Sequence, residues 1–63
     1  MNDKYLIEVD LEPQNYGGSL KYFWCIKKTK DSLSINKGHG WSDTIPDSFN
    51  KAYSYYKTHI AKE

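Results

Sequence analysis

Apolar residues recur at helical spacing only in the last third of the chain. Phe49, Ala52, Tyr53, Tyr56 and Ile60 fall at i, i+3, i+4, i+7 and i+11, which puts all five on one stripe of an α-helix. Upstream the pattern has period two. Tyr5, Ile7, Val9 and Leu11 alternate with Leu6, Glu8 and Asp10, and Leu20, Tyr22, Trp24 and Ile26 alternate with Lys21, Phe23, Cys25 and Lys27. Each run reads as a half-buried strand, and the β-branched and aromatic content of the second supports that reading. Between them, Pro13 to Ser19 reads as a loop broken by Pro13 and Gly17-Gly18. Thr29 to Ser32 forms a polar tip, Leu33 and Ile35 mark a short third strand, and Asn36 to Gly40 is a glycine-bearing turn or the frayed end of that strand.

Register follows from matching apolar faces. Leu11 opposite Leu20 sets Val9 against Tyr22, Ile7 against Trp24 and Tyr5 against Ile26, with Asp10 opposite Lys21 on the reverse side. A tight turn near Lys30-Asp31 would bring Ile35 beside Ile26. Pro46 belongs to a first helical turn. Thr44 and Asp47 resemble a capping box, with Asp43 or Ile45 as alternative caps because Ile45 precedes a proline. The helix then runs to about Ala61, roughly 24 Å at 1.5 Å per residue. The expectation is one α+β domain over 1–63: a three-stranded antiparallel sheet with a single C-terminal helix packed on one face (β-β-β-α).

One helix can cover one face of such a sheet. The reverse face carries Leu6, Phe23 and Cys25, edged by Glu8, Asp10, Lys21 and Lys27. An apolar centre with a charged rim is the make-up of a protein–protein contact. Leu6, Phe23, Cys25, Lys21 and Lys27 are therefore the candidate partner-binding residues, with Phe23 as anchor. Size points the same way. A chain of 63 residues buries only about 60% of its unfolded surface on folding, and disulfides, metals or oligomerisation usually make up the difference. Cys25 is the only cysteine, so no internal disulfide forms, and His39 and His59 stand alone, away from any zinc spacing. Self-association, as a homodimer, is the remaining device. Exposed strand edges offer a second route to it.

Charge narrows the partner class. The net charge is +1, but Asp3, Glu8, Asp10 and Glu12 crowd the first twelve residues while Lys21, Lys27, Lys28, Lys30 and Lys37 cluster later. Cross-strand complementarity accounts for this. An anion-binding strip is the alternative, and Lys27, Lys28, Lys30 and Lys37 would serve a nucleic-acid-binding module. All nine basic residues are lysine. The absence of arginine's rigid fork counts against specific base readout. No apolar run reaches membrane-span length, and the N-terminus lacks a signal-peptide core, so a cytoplasmic protein is expected.

Gly38-His39-Gly40-Trp41, just ahead of the helix, is the most motif-like stretch and the candidate ligand loop, since backbone amides near a helix N-terminus can hold an anion. It matches no phosphate-loop or dinucleotide fingerprint, and turn chemistry alone, with Trp41 closing the core, is the favoured account of it. His39 and His59 with Asp43 or Asp47 do not form a supported nucleophile–base arrangement, so no catalytic residue, metal or cofactor is expected. Tyr55 and His59 share a flank off the buried stripe and read as a solvated pair, or as a stacking surface.

Tyr22-Phe-Trp-Cys-Ile, a polar tip, then Gly38-His-Gly-Trp-Ser-Asp-Thr leading into an alanine- and tyrosine-bearing helix resembles small phage and prophage proteins of low-GC Gram-positive bacteria. The lysine-, asparagine- and tyrosine-rich composition suits such a source. The pattern spans about Tyr5 to Ile60. Within that size class it resembles anti-defence proteins of the Hachiman anti-defence type. The resemblance implies a non-enzymatic, oligomeric protein that binds and blocks a host bacterial defence protein in the host cytoplasm. It assigns no individual residue a role.

Overall fold

The computed structural model describes residues 4–61 and contains four strands followed by one helix: β1 (Lys4–Val9), β2 (Gln14–Tyr16), β3 (Ser19–Lys30), β4 (Leu33–Ser42) and α1 (Ile45–Tyr55), the last continued by a π-helical turn, Tyr56–Ile60. All pairings are antiparallel and all involve β3. β1 and β4 pair with overlapping stretches of β3 and so lie on its opposite edges. β2 takes the initial stretch, Ser19–Lys21, which neither of them uses. The α+β architecture with a C-terminal helix on one sheet face is as the patterning predicts. The fourth strand, β2, is cut from what reads as loop: Gly17 and Gly18 both adopt positive φ (64° and 87°), the condition for a two-residue turn whose twist suits a hairpin.

The strand registers differ from those drawn by matching apolar residues. Val9 faces Trp24, Ile7 faces Ile26 and Tyr5 faces Lys28. The slip is two residues, and a two-residue slip preserves faces because side chains alternate with period two. Asp10 therefore sits across from Phe23, its N–H donating to the Phe23 carbonyl at 2.9 Å, and not across from Lys21. β4 departs further. No turn interrupts Asn36–Gly40; the strand runs through it to Ser42. Gly38 faces Ile26, while Ile35 lies opposite Lys28. A bulge between Ile26/Gly38 and Lys27/Asn36 leaves Lys37 as the extra residue, which bends the strand and resets its phase.

The core lies between the helix and the middle of the sheet: Trp24, Ile26, Ala52 and Ile60, with Tyr5, Ile7, Val9, Tyr55 and Tyr56 packed against it. The helix approaches closely because both surfaces are lined with small residues. Gly38 makes room for the Tyr55 ring and Gly40 for the Trp24 indole. Ser42 and Ser48 are fully buried and hydrogen-bonded to each other, and Ser48 Oγ also donates to the Thr44 carbonyl at 2.9 Å. Thr44 is the N-cap, its Oγ1 accepting from Asp47 N at 3.1 Å, with Pro46 in the first turn.

This close seat rotates the helix relative to its hydrophobic stripe. Ser48, Ala52 and Ile60 are buried. Phe49 and Tyr53, expected inside, are 46% and 53% exposed. Tyr55, expected outside, lies over Gly38 and 6.0 Å from Trp24, ring centre to ring centre. The molecule is elongated, 42 × 23 × 17 Å, because the β2–β3 and β3–β4 arms extend past the helix. Leu20 and Leu33 on those arms, and Leu11 in the bend between β1 and β2, stay exposed.

Candidate functional site

The sheet face away from the helix is built by residues whose alternation points them out of the core. Leu6 and Glu8 come from β1, and Lys21, Phe23, Cys25 and Lys27 from β3. Pairing of Phe23 with Trp41 and of Cys25 with His39 brings β4 onto the same face. Tyr16 of β2 completes it by stacking on Trp41, centroids 4.7 Å apart and planes 13° from parallel. Trp41 in turn meets Phe23 edge-to-face at 5.2 Å, and Phe23 lies 5.9 Å from the His39 ring. Tyr16, Trp41, Phe23 and His39 thus form one continuous strip of rings across three strands. Offset and edge-on contacts of this kind favour defined ring positions, so the strip is ordered before any partner arrives.

Phe23 lies here and is half-buried by its ring neighbours, outside the helix-covered core. Leu6 is 40% exposed at the β1 side. Cys25, at 6% exposure, is floor more than contact surface. Burial pushes its thiol above the ordinary value, Lys27 pulls the other way, and Glu8, whose Oε1 lies 4.0 Å from Sγ, adds to the rise. Cys25 is therefore a protonated, poorly nucleophilic thiol at neutral pH.

Both rim lysines are held by carboxylates. Lys27 Nζ lies 3.1 Å from Glu8 Oε1, and the hydrogen bond to Glu8, followed by its charge, holds the lysine above its usual range. Lys21 pairs with Asp43, whose carboxyl falls below the usual range chiefly through that hydrogen bond and then through the lysine's charge. The lysine strip drawn from the sequence, Lys27, Lys28, Lys30 and Lys37, is split between faces, with Lys30 alternating to the side of Lys28 and away from Lys27. Lys21 and Lys27 share the open face. Lys28 projects to the helix side, 5.8 Å from the Tyr5 ring centre, and Lys37 sits in the β4 bulge.

The candidate ligand loop is corrected outright. Gly38, His39, Gly40 and Trp41 are strand residues, and the space left by the two glycines is filled by the protein's own Tyr55 and Trp24 rings. Trp41 does not close the core; it joins the open face. The signal for this was present: Gly38, Gly40 and Ser42 alternate with His39 and Trp41, small against large at period two, the pattern of a strand with a helix pressed on one side. Tyr16 carried a weaker signal, its place before Gly17-Gly18.

The two histidines lie on opposite sides of the sheet. His39 is in the aromatic strip and His59 is beside Tyr55 at 4.5 Å. Asp47 is engaged with Lys51 at 3.4 Å. Among the described residues no group of three or more His, Cys, Asp or Glu is placed to hold a metal ion, and no helix is long and apolar enough to cross a membrane. Compared with known proteins, the chain matches no family model, no curated protein and no solved structure.

Proposed function

We propose that this chain is a non-enzymatic binding protein that occupies the surface of a partner protein through its open sheet face, and that it does so as a homodimer. One observation carries the reading: four rings linked in a line, Tyr16 to Trp41 to Phe23 to His39, on the face opposite the helix. Rigid aromatic anchors contribute large contact area at low ordering cost. Burying most of Phe23 and Leu6 would contribute roughly 3–6 kcal/mol before association costs. The rim holds Glu8, Asp10 and Asp43 against Lys21 and Lys27, one acid in excess. That balance favours a protein surface over a polyphosphate backbone. The likeness to small phage proteins makes a host defence protein in the bacterial cytoplasm the class of partner.

The test compares wild type with Phe23→Asp and Trp41→Ala as bait in bacterial lysate. A protein retained by wild type and lost from both variants, with unchanged circular dichroism, supports the reading. Equal retention by all three overturns it. Stacked rings on a sheet also suit single-stranded nucleic acid, so titration with single-stranded DNA and RNA at low salt accompanies the capture. The acid excess predicts no binding. Binding that weakens steeply with salt would transfer the face to nucleic acid.

A further inference from the structure

The helix has two flanks, and they differ in kind. Above β4 most of its neighbours are polar: Asn50, Lys51, Ser54, Thr58 and His59 line a shallow groove with the Trp24 and Tyr55 rings. Above β1 they are apolar. Tyr53 and Tyr56 line a cavity of about 450 Å³ with Lys4, Tyr5, Ile7 and Ile26, and Phe49, one turn before Tyr53 on the same flank of the helix, is exposed. Phe49 and Tyr53 form the half of the helix's apolar stripe that the sheet leaves uncovered. β1 is the sheet's edge there, pairing among the described residues only with β3.

The backbone of β1 is phased for a further strand. Asp10 N–H donates inward to Phe23. In an antiparallel ladder alternate residues hydrogen-bond to the same neighbour, so Lys4, Leu6 and Glu8 also bond toward β3. Tyr5, Ile7 and Val9 present their N–H and C=O groups outward.

We infer that β1 pairs antiparallel with β1 of a second copy, about a two-fold axis at Ile7. Ile7 then faces the partner's Ile7, Tyr5 faces the partner's Val9, and Lys4 faces the partner's Asp10. Every outward amide of the strand is used, and the opposite charges at the strand ends meet twice by symmetry. Centring on Glu8 would set two carboxylates face to face, and centring on Leu6 would set Lys4 against a Glu8 already held by Lys27. β4 is the poorer edge, because a bulge kinks it and its helix flank is polar. An axis normal to the sheet keeps each face on its own side. Both helices therefore lie together, closing Phe49 and Tyr53 of each copy against the other, and both aromatic strips stay open side by side on the far face. The inference rests on the self-association half of the proposed function and leaves the docking half independent.

Sedimentation equilibrium of the full chain tests it, using wild type, Lys4→Asp, Asp10→Lys, the double swap Lys4→Asp/Asp10→Lys, Phe49→Glu and Phe23→Asp. All of these positions are exposed or half-buried, and circular dichroism checks that each variant folds. Wild type is expected at twice 7.4 kDa. Each single reversal should raise the dimer dissociation constant about tenfold, since two symmetric cross-strand pairs change sign. The double swap should restore it to within about threefold, Phe49→Glu should weaken it at least as much as a single reversal, and Phe23→Asp should leave it intact. A wild-type mass of 7.4 kDa alone, or a dimer indifferent to Lys4→Asp and Phe49→Glu, overturns the interface. A dimer lost only with Phe23→Asp also overturns it, by moving self-contact to the aromatic face. Partner capture by a chain that stays monomeric would leave the docking reading standing without this one.

Discussion

Two glycines set how closely the helix can sit. A Cβ at Gly40 would fall 2.4 Å from the Trp24 ring, and one at Gly38 would fall 2.5 Å from the Tyr55 ring. The two clashes differ in how they can be relieved. Trp24 is enclosed in the core, whereas Tyr55 is half-buried and can swing outward. Gly40→Ala should therefore destabilise by about 1–3 kcal/mol, the usual cost of overpacking, and Gly38→Ala by clearly less. Urea unfolding midpoints of the two variants check the order. The Trp24 indole N–H, buried and without a partner among the described residues, shows the same priority: the ring is placed for its area, and its one polar atom goes unsatisfied.

At the scale of elements, the two hairpin turns flanking β3 are solved differently. Gly17-Gly18 supplies positive φ at no steric cost. Asp31 and Ser32 take the same left-handed conformation, φ 52° and 70°, with side chains attached. Asparagine and glycine are preferred at these positions, and serine is a poor occupant. Asp31→Asn with Ser32→Gly should raise stability by about 1 kcal/mol, read as a higher melting temperature with unchanged circular dichroism. That turn chemistry was also hard to read in advance: neither Asp31 nor Ser32 announces a two-residue turn, so the β3–β4 register drawn from the sequence placed Ile35 beside Ile26. The helix start, by contrast, was legible to within a residue: Thr44, Pro46 and Asp47 act through local backbone geometry, and of the caps Asp43, Thr44 and Ile45 the structure selects Thr44.

Across the whole molecule, the Lys21–Asp43 pair ties the start of β3 to the junction between β4 and α1. Asp43 is lowered from an ordinary value of 3.8 by its lysine. A carboxyl that ionises more readily when folded contributes stability that is full above the unfolded value and is lost as pH falls through the folded one. The melting-temperature gap between wild type and Asp43→Asn should therefore be present at neutral pH and close in acid below the Asp43 range. The pair is exposed, so the gap should be small and should shrink with salt. The same long axis that separates the hairpin arms from the helix leaves one face of the sheet without cover, and there Tyr16, Phe23, His39 and Trp41 gather from three strands.

Alternation and capping are properties of neighbouring residues, and these the chain determined alone: an antiparallel sheet, a C-terminal helix opening just before Pro46, and Phe23 with Leu6 on the face away from it. Pairing across strands is not local. Period two distinguishes faces but not a slip of two, so Ile7 meets Ile26 where Trp24 fitted equally well, and the bulge at Lys37 exists only because β4 must follow β3. Which helix residues are buried was also decided in three dimensions. Glycine and serine on the sheet-facing surfaces draw the helix in until Ser48 and Ala52 are buried, and that leaves Phe49 and Tyr53, the larger apolar pair, exposed.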